Sequence, residues 1–191
     1  MQTSLMEKSF AEHQTTIKLV QESLLDIIVL CAERLEHILN AGNKILLCGN
    51  GGSAADAQHF AAELVGRFEL ERGGLPAIAL TTDTSILTAI GNDYGFAQIF
   101  SRQVEAFARP GDALIGISTS GHSENVLLAM QKASNIGCLT IALTGRDGGA
   151  IAKAADLSLN VAVERTARVQ EAHLMILHLL CEQIDAAVTN K

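Results

Sequence analysis

Several things are scarce in this chain, and each scarcity excludes a class. Basic residues are outnumbered, 14 Lys and Arg against 21 Asp and Glu, giving a formal net charge of −7. That deficit argues against a nucleic-acid surface. No apolar run approaches the 18 or so residues that a membrane span needs, and no signal peptide is expected. The four cysteines, Cys31, Cys48, Cys138 and Cys181, sit in apolar segments without the pair spacing of a metal site. They read as reduced core thiols, as in a cytoplasmic protein. Internal repeats, low-complexity tracts and linkers are also missing.

What remains is strongly globular. Hydrophobic residues make up 48% of the 191 positions and charged residues only 18%, which implies extensive burial in a core or at subunit contacts. The length suits one well-buried domain and is too short for two, so residues 1–191 are read as a single domain. Helical periodicity runs over about 5–39 through Leu19, Leu24, Ile27, Ile28, Cys31, Leu35 and Ile38, and stops at Ala41-Gly42. Short apolar runs follow at 44–48, 77–80, 113–117, 139–143 and 157–163, the pattern of strands buried on both faces. Helical stretches separate them at 54–66, in a broken region over 85–108, and at 124–136 and 150–155. A last helix covers about 166–189. This alternation predicts an α/β three-layer sandwich with a roughly five-stranded, mostly parallel sheet, flanked by long N- and C-terminal helices. Ligands in such sheets bind beyond the carboxyl ends of the strands.

The most informative stretch is 47–63, a strand that ends in a glycine turn and opens a helix. Free backbone N–H groups and the positive end of a helix dipole suit an oxyanion there. His59 and Glu63 follow four residues apart, so they project side by side as a metal pair or an acid–base pair would. The turn Gly49-Asn50-Gly51-Gly52-Ser53-Ala54 also fits the dinucleotide fingerprint. That fold wants an acidic residue about 20 positions on, whereas Asp83 lies about 30 beyond the turn.

After the third strand, Ser118-Thr119-Ser120-Gly121-His122-Ser123 crowds four hydroxyls just before a helix. Such a loop can wrap a phosphate through side-chain and backbone donors, whereas an ordinary N-cap would need only Ser123. A cradle without Lys or Arg suits a monophosphate rather than a nucleotide. Thr144-Gly145-Arg146-Asp147-Gly148-Gly149 reads as a chain reversal. The last helix is apolar almost all round yet carries Gln170, Glu171, His173 and His178, which need partners if buried. Gln170 and His178 are about 80° apart round the helix and about 12 Å along it. They barely span to one metal; the alternative is that they serve different sites completed by neighbouring subunits. His173 reads as readily as a satisfied core or interface histidine as it does as a functional one.

Taken together, the glycine turn, His59-Phe60-Ala61-Ala62-Glu63, Gly91-Asn92-Asp93-Tyr94-Gly95-Phe96, the serine loop, the Gly-rich turn and Gln170-Glu171-Ala172-His173 resemble the phosphoheptose isomerases. These form the sedoheptulose 7-phosphate isomerase branch of the sugar isomerase (SIS) fold, which is flavodoxin-like. The likeness runs in order from about residue 42 to 184. It implies a cytoplasmic homotetramer, with the helix over 1–41 used in oligomerisation. The implied reaction converts sedoheptulose 7-phosphate to D-glycero-D-manno-heptose 7-phosphate, the first step towards ADP-heptose for lipopolysaccharide. It further implies one zinc per subunit, held by His59, Glu63, Gln170 and His178, with Glu63 and His178 as the acid–base pair. Substrate contacts would fall on Asn50, Gly51, Gly52, Ser53, Asn92, Asp93, Ser118, Thr119, Ser120, Ser123 and Gln170, with 118–123 on the phosphate.

These residue types suit an aldose–ketose isomerisation, which needs a base for a carbon-bound proton, an acid near the carbonyl oxygen and stabilisation of enediolate charge. A zinc-bound carboxylate is a poorer base, so both roles for Glu63 stand in tension. The same fold includes a non-enzymatic tetramer that assists the bacterial replication initiator; it lacks the Glu and the later His, which are Glu63 and His178 here. A sugar-phosphate-binding regulator is the third reading. Two departures from some isomerases are Ala167, where an Asp stands three residues before the Gln, and Ala54-Ala55 in place of bulkier polar residues.

Overall fold

The computed structural model describes residues 2–189. Its elements are α1 (Gln2–Asn40), β1 (Ile45–Gly49), α2 (Gly52–Val65), β2 (Ala77–Ala79), α3 (Thr84–Tyr94), α4 (Ser101–Phe107), β3 (Ala113–Ser118), α5 (Glu124–Ile136), β4 (Leu139–Gly145), α6 (Gly149–Ala154), β5 (Leu157–Val161) and α7 (Thr166–Thr189). The broken region resolves into α3, a 3-10 turn at Phe96–Gln98, and α4.

The five strands pair in the order β2-β1-β3-β4-β5, every neighbour parallel. Strand side chains alternate between two faces, and both faces are covered. Ile45, Leu47, Ile115, Ile117, Ile141 and Leu143 join the core under α1, α2 and α7. Leu46, Cys48, Leu114 and Ala142 join the core under α4, α5 and α6. The expected three layers follow directly from those two apolar faces. Burial on both faces holds for β1 and β3 throughout, but not at the sheet edges. Ile78 in β2 is 39% exposed and three residues of β5 are only half-buried, because an edge strand has a neighbour on one side alone.

The cysteines are all buried and free. Burial pushes the thiols of Cys31, Cys48 and Cys181 up to about 12 and that of Cys138 to about 11, so they stay protonated. The core-thiol reading holds. In α1, Val20 to Leu39 supplies the buried stripe, whereas Leu5, Met6 and Phe10 are 65%, 65% and 72% exposed. Among the described residues no helix is long and apolar enough to cross a membrane.

Candidate active site

In this strand order the chain leaves β1 and β3 in opposite directions, and a crevice opens beyond their carboxyl ends. The glycine turn borders it on one side and the serine loop on the other. An amide pair joins the two: Asn50 Nδ2 donates to Asn125 Oδ1 at 2.8 Å, and Asn125 Nδ2 donates to Asn50 Oδ1 at 2.9 Å. Asn125 was not among the residues expected from the sequence. The available signal was an amide in the first turn of an otherwise apolar-faced helix, at a position that is only 3% exposed.

The serine loop folds as a cluster of hydroxyls. Ser118 Oγ lies 2.9 Å from Ser123 Oγ and 3.4 Å from Ser120 Oγ, and Ser120 Oγ accepts from the His122 amide at 3.2 Å. Ser118 is buried, while Thr119, Ser120 and Ser123 are half-buried. Ser123 occupies the N-cap position of α5 but makes no capping hydrogen bond with its side chain. The plain-cap reading of Ser123 therefore fails, since its hydroxyl is turned to Ser118. What remains is a neutral cradle at the amino end of a 13-residue helix, a place that favours an anion. Gly121 has φ 70, and a Cβ there would lie 2.2 Å from the Gly148 carbonyl oxygen. The Gly-rich turn is thus a chain reversal, as expected, and it also seats the cradle: Ile151 N donates to Gly121 O at 3.1 Å.

On the other side Gly51, at φ 58, starts α2 without a side-chain cap. A Cβ on Gly52 would lie 2.3 Å from Gln170 Nε2, so the bare glycine makes room for that amide. Further along the same two helices, His59 Nε2 and His178 Nε2 are 2.9 Å apart, and His59 Nε2 is 3.5 Å from Glu63 Oε1. Helices α2 and α7 therefore run parallel, with Gly52 beside Gln170 and His59 beside His178. The sequence left open whether Gln170 and His178 serve one site. In the fold His178 meets His59, which itself lies beside Glu63, whereas Gln170 packs on the glycine turn. The two imidazoles share a hydrogen bond, so one ring carries its proton at Nε2 and the other is bare. Phe68 tilts against His178 with ring centroids 5.4 Å apart.

The donor chemistry of His59, Glu63 and His178 is that of a His2Glu zinc site. Among the described residues, though, no three His, Cys, Asp or Glu side chains stand ready as a metal cluster. His59, Glu63 and His178 supply donors of the kind zinc takes, while Gln170, the fourth residue of the expected set, stands on the same helix as His178 against the glycine turn.

Other candidates fall elsewhere. Ser53 is buried behind the turn, its amide donating to Asn50 O at 3.1 Å. Asn92 and Asp93, at the end of α3, are both exposed; they bond each other at 2.8 Å, and among the described residues no hydrogen bond joins them to either loop. Asp83, the acidic residue a dinucleotide site would need, accepts from Ile86 N at 2.8 Å and caps α3. Ala167 is exposed on the first turn of α7. His173 is fully buried, and its Nε2 donates to Thr144 O at 3.0 Å. Burial lowers its pKa to about 4, partly opposed by that bond, so the ring is neutral and Nδ1 has no partner. It is a core histidine.

Comparison with known proteins gives one answer. The family model described as the SIS domain matches residues 10–145. The phosphoheptose isomerase of Geotalea daltonii is 58% identical over 173 residues, covering 91% of this chain and 90% of that protein. Among solved structures, the phosphoheptose isomerase of Neisseria gonorrhoeae superposes with a TM-score of 0.93 at 49% identity, covering 97% of this chain and 100% of that one. The enzyme of Francisella tularensis gives a TM-score of 0.94 at 40% identity, covering 97% and 99%. With likeness of this depth spanning both loops and both site helices, the chain belongs to the phosphoheptose isomerase family of SIS-domain proteins.

Proposed function

We propose that this protein isomerises sedoheptulose 7-phosphate to D-glycero-D-manno-heptose 7-phosphate, at the start of the route to ADP-heptose and the lipopolysaccharide core. The observation that carries the reading is the meeting of Glu63, His59 and His178 beside a crevice that ends in a neutral hydroxyl cradle. The phosphate is held by Ser118, Thr119, Ser120 and Ser123 at the start of α5. The sugar body lies against Asn50, Gly51, Gly52 and Ser53, with Gln170 reaching in from α7.

Glu63 takes the carbon-bound proton next to the carbonyl, and His178 gives a proton to the carbonyl oxygen, forming the enediol. Reversing the two transfers on the neighbouring carbon delivers the aldose. Atoms and charge balance, because the proton that leaves one carbon is replaced on the next. Phe68, packed on His178, keeps water from one face of that ring. A zinc ion held by His59, Glu63, Gln170 and His178 would supply polarisation of the carbonyl.

Asn92 and Asp93 belong to the expected substrate set but bond each other at the end of α3. A homotetramer, with residues 1–41 at its contacts, brings such residues to a neighbour's site. The exposed Leu5, Met6 and Phe10 of α1 support it, since they line an open groove of about 590 Å³ with Arg165 and Arg168. A cytoplasmic location accords with four cysteines that are buried and free of disulfides. The test is incubation with sedoheptulose 7-phosphate, with and without a chelator, followed by product detection. An aldoheptose phosphate is expected; binding without turnover overturns the reading in favour of a regulator or an interaction protein.

A further inference from the structure

The segment between α2 and β2 is tied down by one buried ion pair. Arg72 and Asp185 have side chains each 2% exposed, and Arg72 Nε donates to Asp185 Oδ1 at 2.6 Å. The rest of the guanidinium is committed to backbone. Nη1 donates to Leu64 O at 2.8 Å, Gly73 O at 3.1 Å and Gly66 O at 3.3 Å, and Nη2 donates to Glu63 O at 2.8 Å. Asp185 Oδ2 in turn accepts from the amides of Glu69 and Leu70 at 3.0 and 3.1 Å. The last carbonyls of a helix lack partners within it, and a cation suits that end. Here the cation comes from seven residues beyond the helix and is fixed by a carboxylate on α7.

The two ends of this clamp are the two helices of the site. One end is bonded to the peptide carbonyl of Glu63. At the other, Asp185 lies seven residues after His178, two turns on, and therefore on the same face of α7. The clamped segment carries Phe68, whose ring lies against His178.

We infer that Arg72 and Asp185 are positioning residues for the isomerisation, holding Glu63 in register with His178 by locking the end of α2 to α7. The inference rests on the acid–base reading of Glu63 and His178. Neither Arg72 nor Asp185 touches the reacting atoms. A buried pair is weak evidence for stability, because apolar residues of similar volume often replace one at no loss. What such residues cannot replace is a rigid fork with one tine on the carboxylate and another on the base's own carbonyl.

Two variants test this beside the parent protein. Arg72→Met with Asp185→Leu removes both charges and strands neither. Arg72→Lys keeps the charge opposite Asp185 but loses the fork that reaches Glu63 O. Assays well below each variant's Tm are expected to show kcat lower by about 10- to 100-fold, the usual effect of a small misplacement. KM for sedoheptulose 7-phosphate should stay within about twofold, because the hydroxyl cradle is untouched. A folded variant with the parent's kcat overturns the inference, as does loss of the folded state in both, which would leave the pair a structural role alone. A parent that does not turn over sedoheptulose 7-phosphate overturns the acid–base reading beneath it, whereas an active parent with unaffected variants overturns only the positioning.

Discussion

Asn50 and Asn125, 75 residues apart, exchange two side-chain hydrogen bonds across the crevice between β1 and β3. This reciprocal pair holds the glycine turn and the start of α5 at a fixed separation, which is also the separation of the sugar-body and phosphate regions. Asn125→Asp keeps an acceptor for Asn50 but loses the returning N–H and puts a negative charge behind the phosphate cradle. KM for the sugar phosphate should rise at least tenfold while kcat changes much less, as steady-state kinetics will show. A stability loss of about 1–3 kcal/mol should accompany it, from the stranded Asn50 oxygen.

Ser123 offers a cleaner separation of roles. A serine that caps a helix through its side chain costs about 1 kcal/mol when replaced by alanine. Because Ser123 makes no such bond and meets buried Ser118 instead, Ser123→Ala should change unfolding free energy by less than about 0.5 kcal/mol once Ser118 is itself alanine. Combined with Ser120→Ala it should nonetheless raise KM by the loss of two hydrogen bonds, about 1 kcal/mol or more each. Denaturant titration and kinetics on the same preparation would check both halves, and an unchanged KM would move the phosphate elsewhere.

Glu63→Gln retains shape and removes the basic oxygen. Turnover should fall by about 100- to 10,000-fold, the usual worth of a positioned base. His178→Gln should behave likewise, and the double variant should lose far less than the product of the single losses. Zinc content and oligomeric state need measuring on each. Near-parental turnover in a zinc-loaded Glu63→Gln protein removes Glu63 from the role of base.

How far the sequence reached can be judged from these same residues. Helix α5 at Glu124–Ile136 and α7 at Thr166–Thr189 match the ranges read from periodicity, because each has a clear apolar stripe and a clean start. Strand positions were legible from uninterrupted apolar runs, which parallel sheets require. The pairing of His59 with Glu63 was legible because it is local to one helix. The meeting of His59 with His178 was carried only by resemblance, since nothing in a 119-residue separation sets distance. Asn125, Phe68, Arg72 and Asp185 were illegible for the same reason: each looks ordinary in its own segment and acquires a role only from what packs against it. Ser123 shows a different limit, a strong cap signal overridden by a hydroxyl partner within its own loop.

His173 makes stability depend on pH. Its folded value of about 4 lies below the ordinary 6.5, so the unfolded chain binds the proton more readily. The contribution is therefore whole above about pH 6.5 and is lost as pH falls towards 4, with a ceiling of about 3 kcal/mol. Asp185 acts in the same direction: burial raises its carboxyl, but Arg72 and the amides of Leu70 and Glu69 outweigh that and hold it below the usual range. Its stabilisation is present above the ordinary carboxylate range and fades at lower pH than that of His173. Urea unfolding at fixed protein concentration should show a steep decline from pH 6.5 to 4. His173→Leu should flatten that decline while leaving the portion at lower pH.

The side-by-side course of α2 and α7 has a consequence for the kinds of sequence change this fold can absorb. Their matched contacts, Gly52 with Gln170 and His59 with His178, sit about two helical turns apart on both helices, like teeth on two racks. One residue added or deleted between the teeth of either helix would swing everything beyond it by about 100° and disengage all later pairs at once. Length changes outside the racks, such as in the stretch between β5 and α7, leave the meshing intact. Descendants of such a chain are thus free to vary in loop length and side chain, while the spacing from Gly52 to His59 and from Gln170 to His178 is held constant.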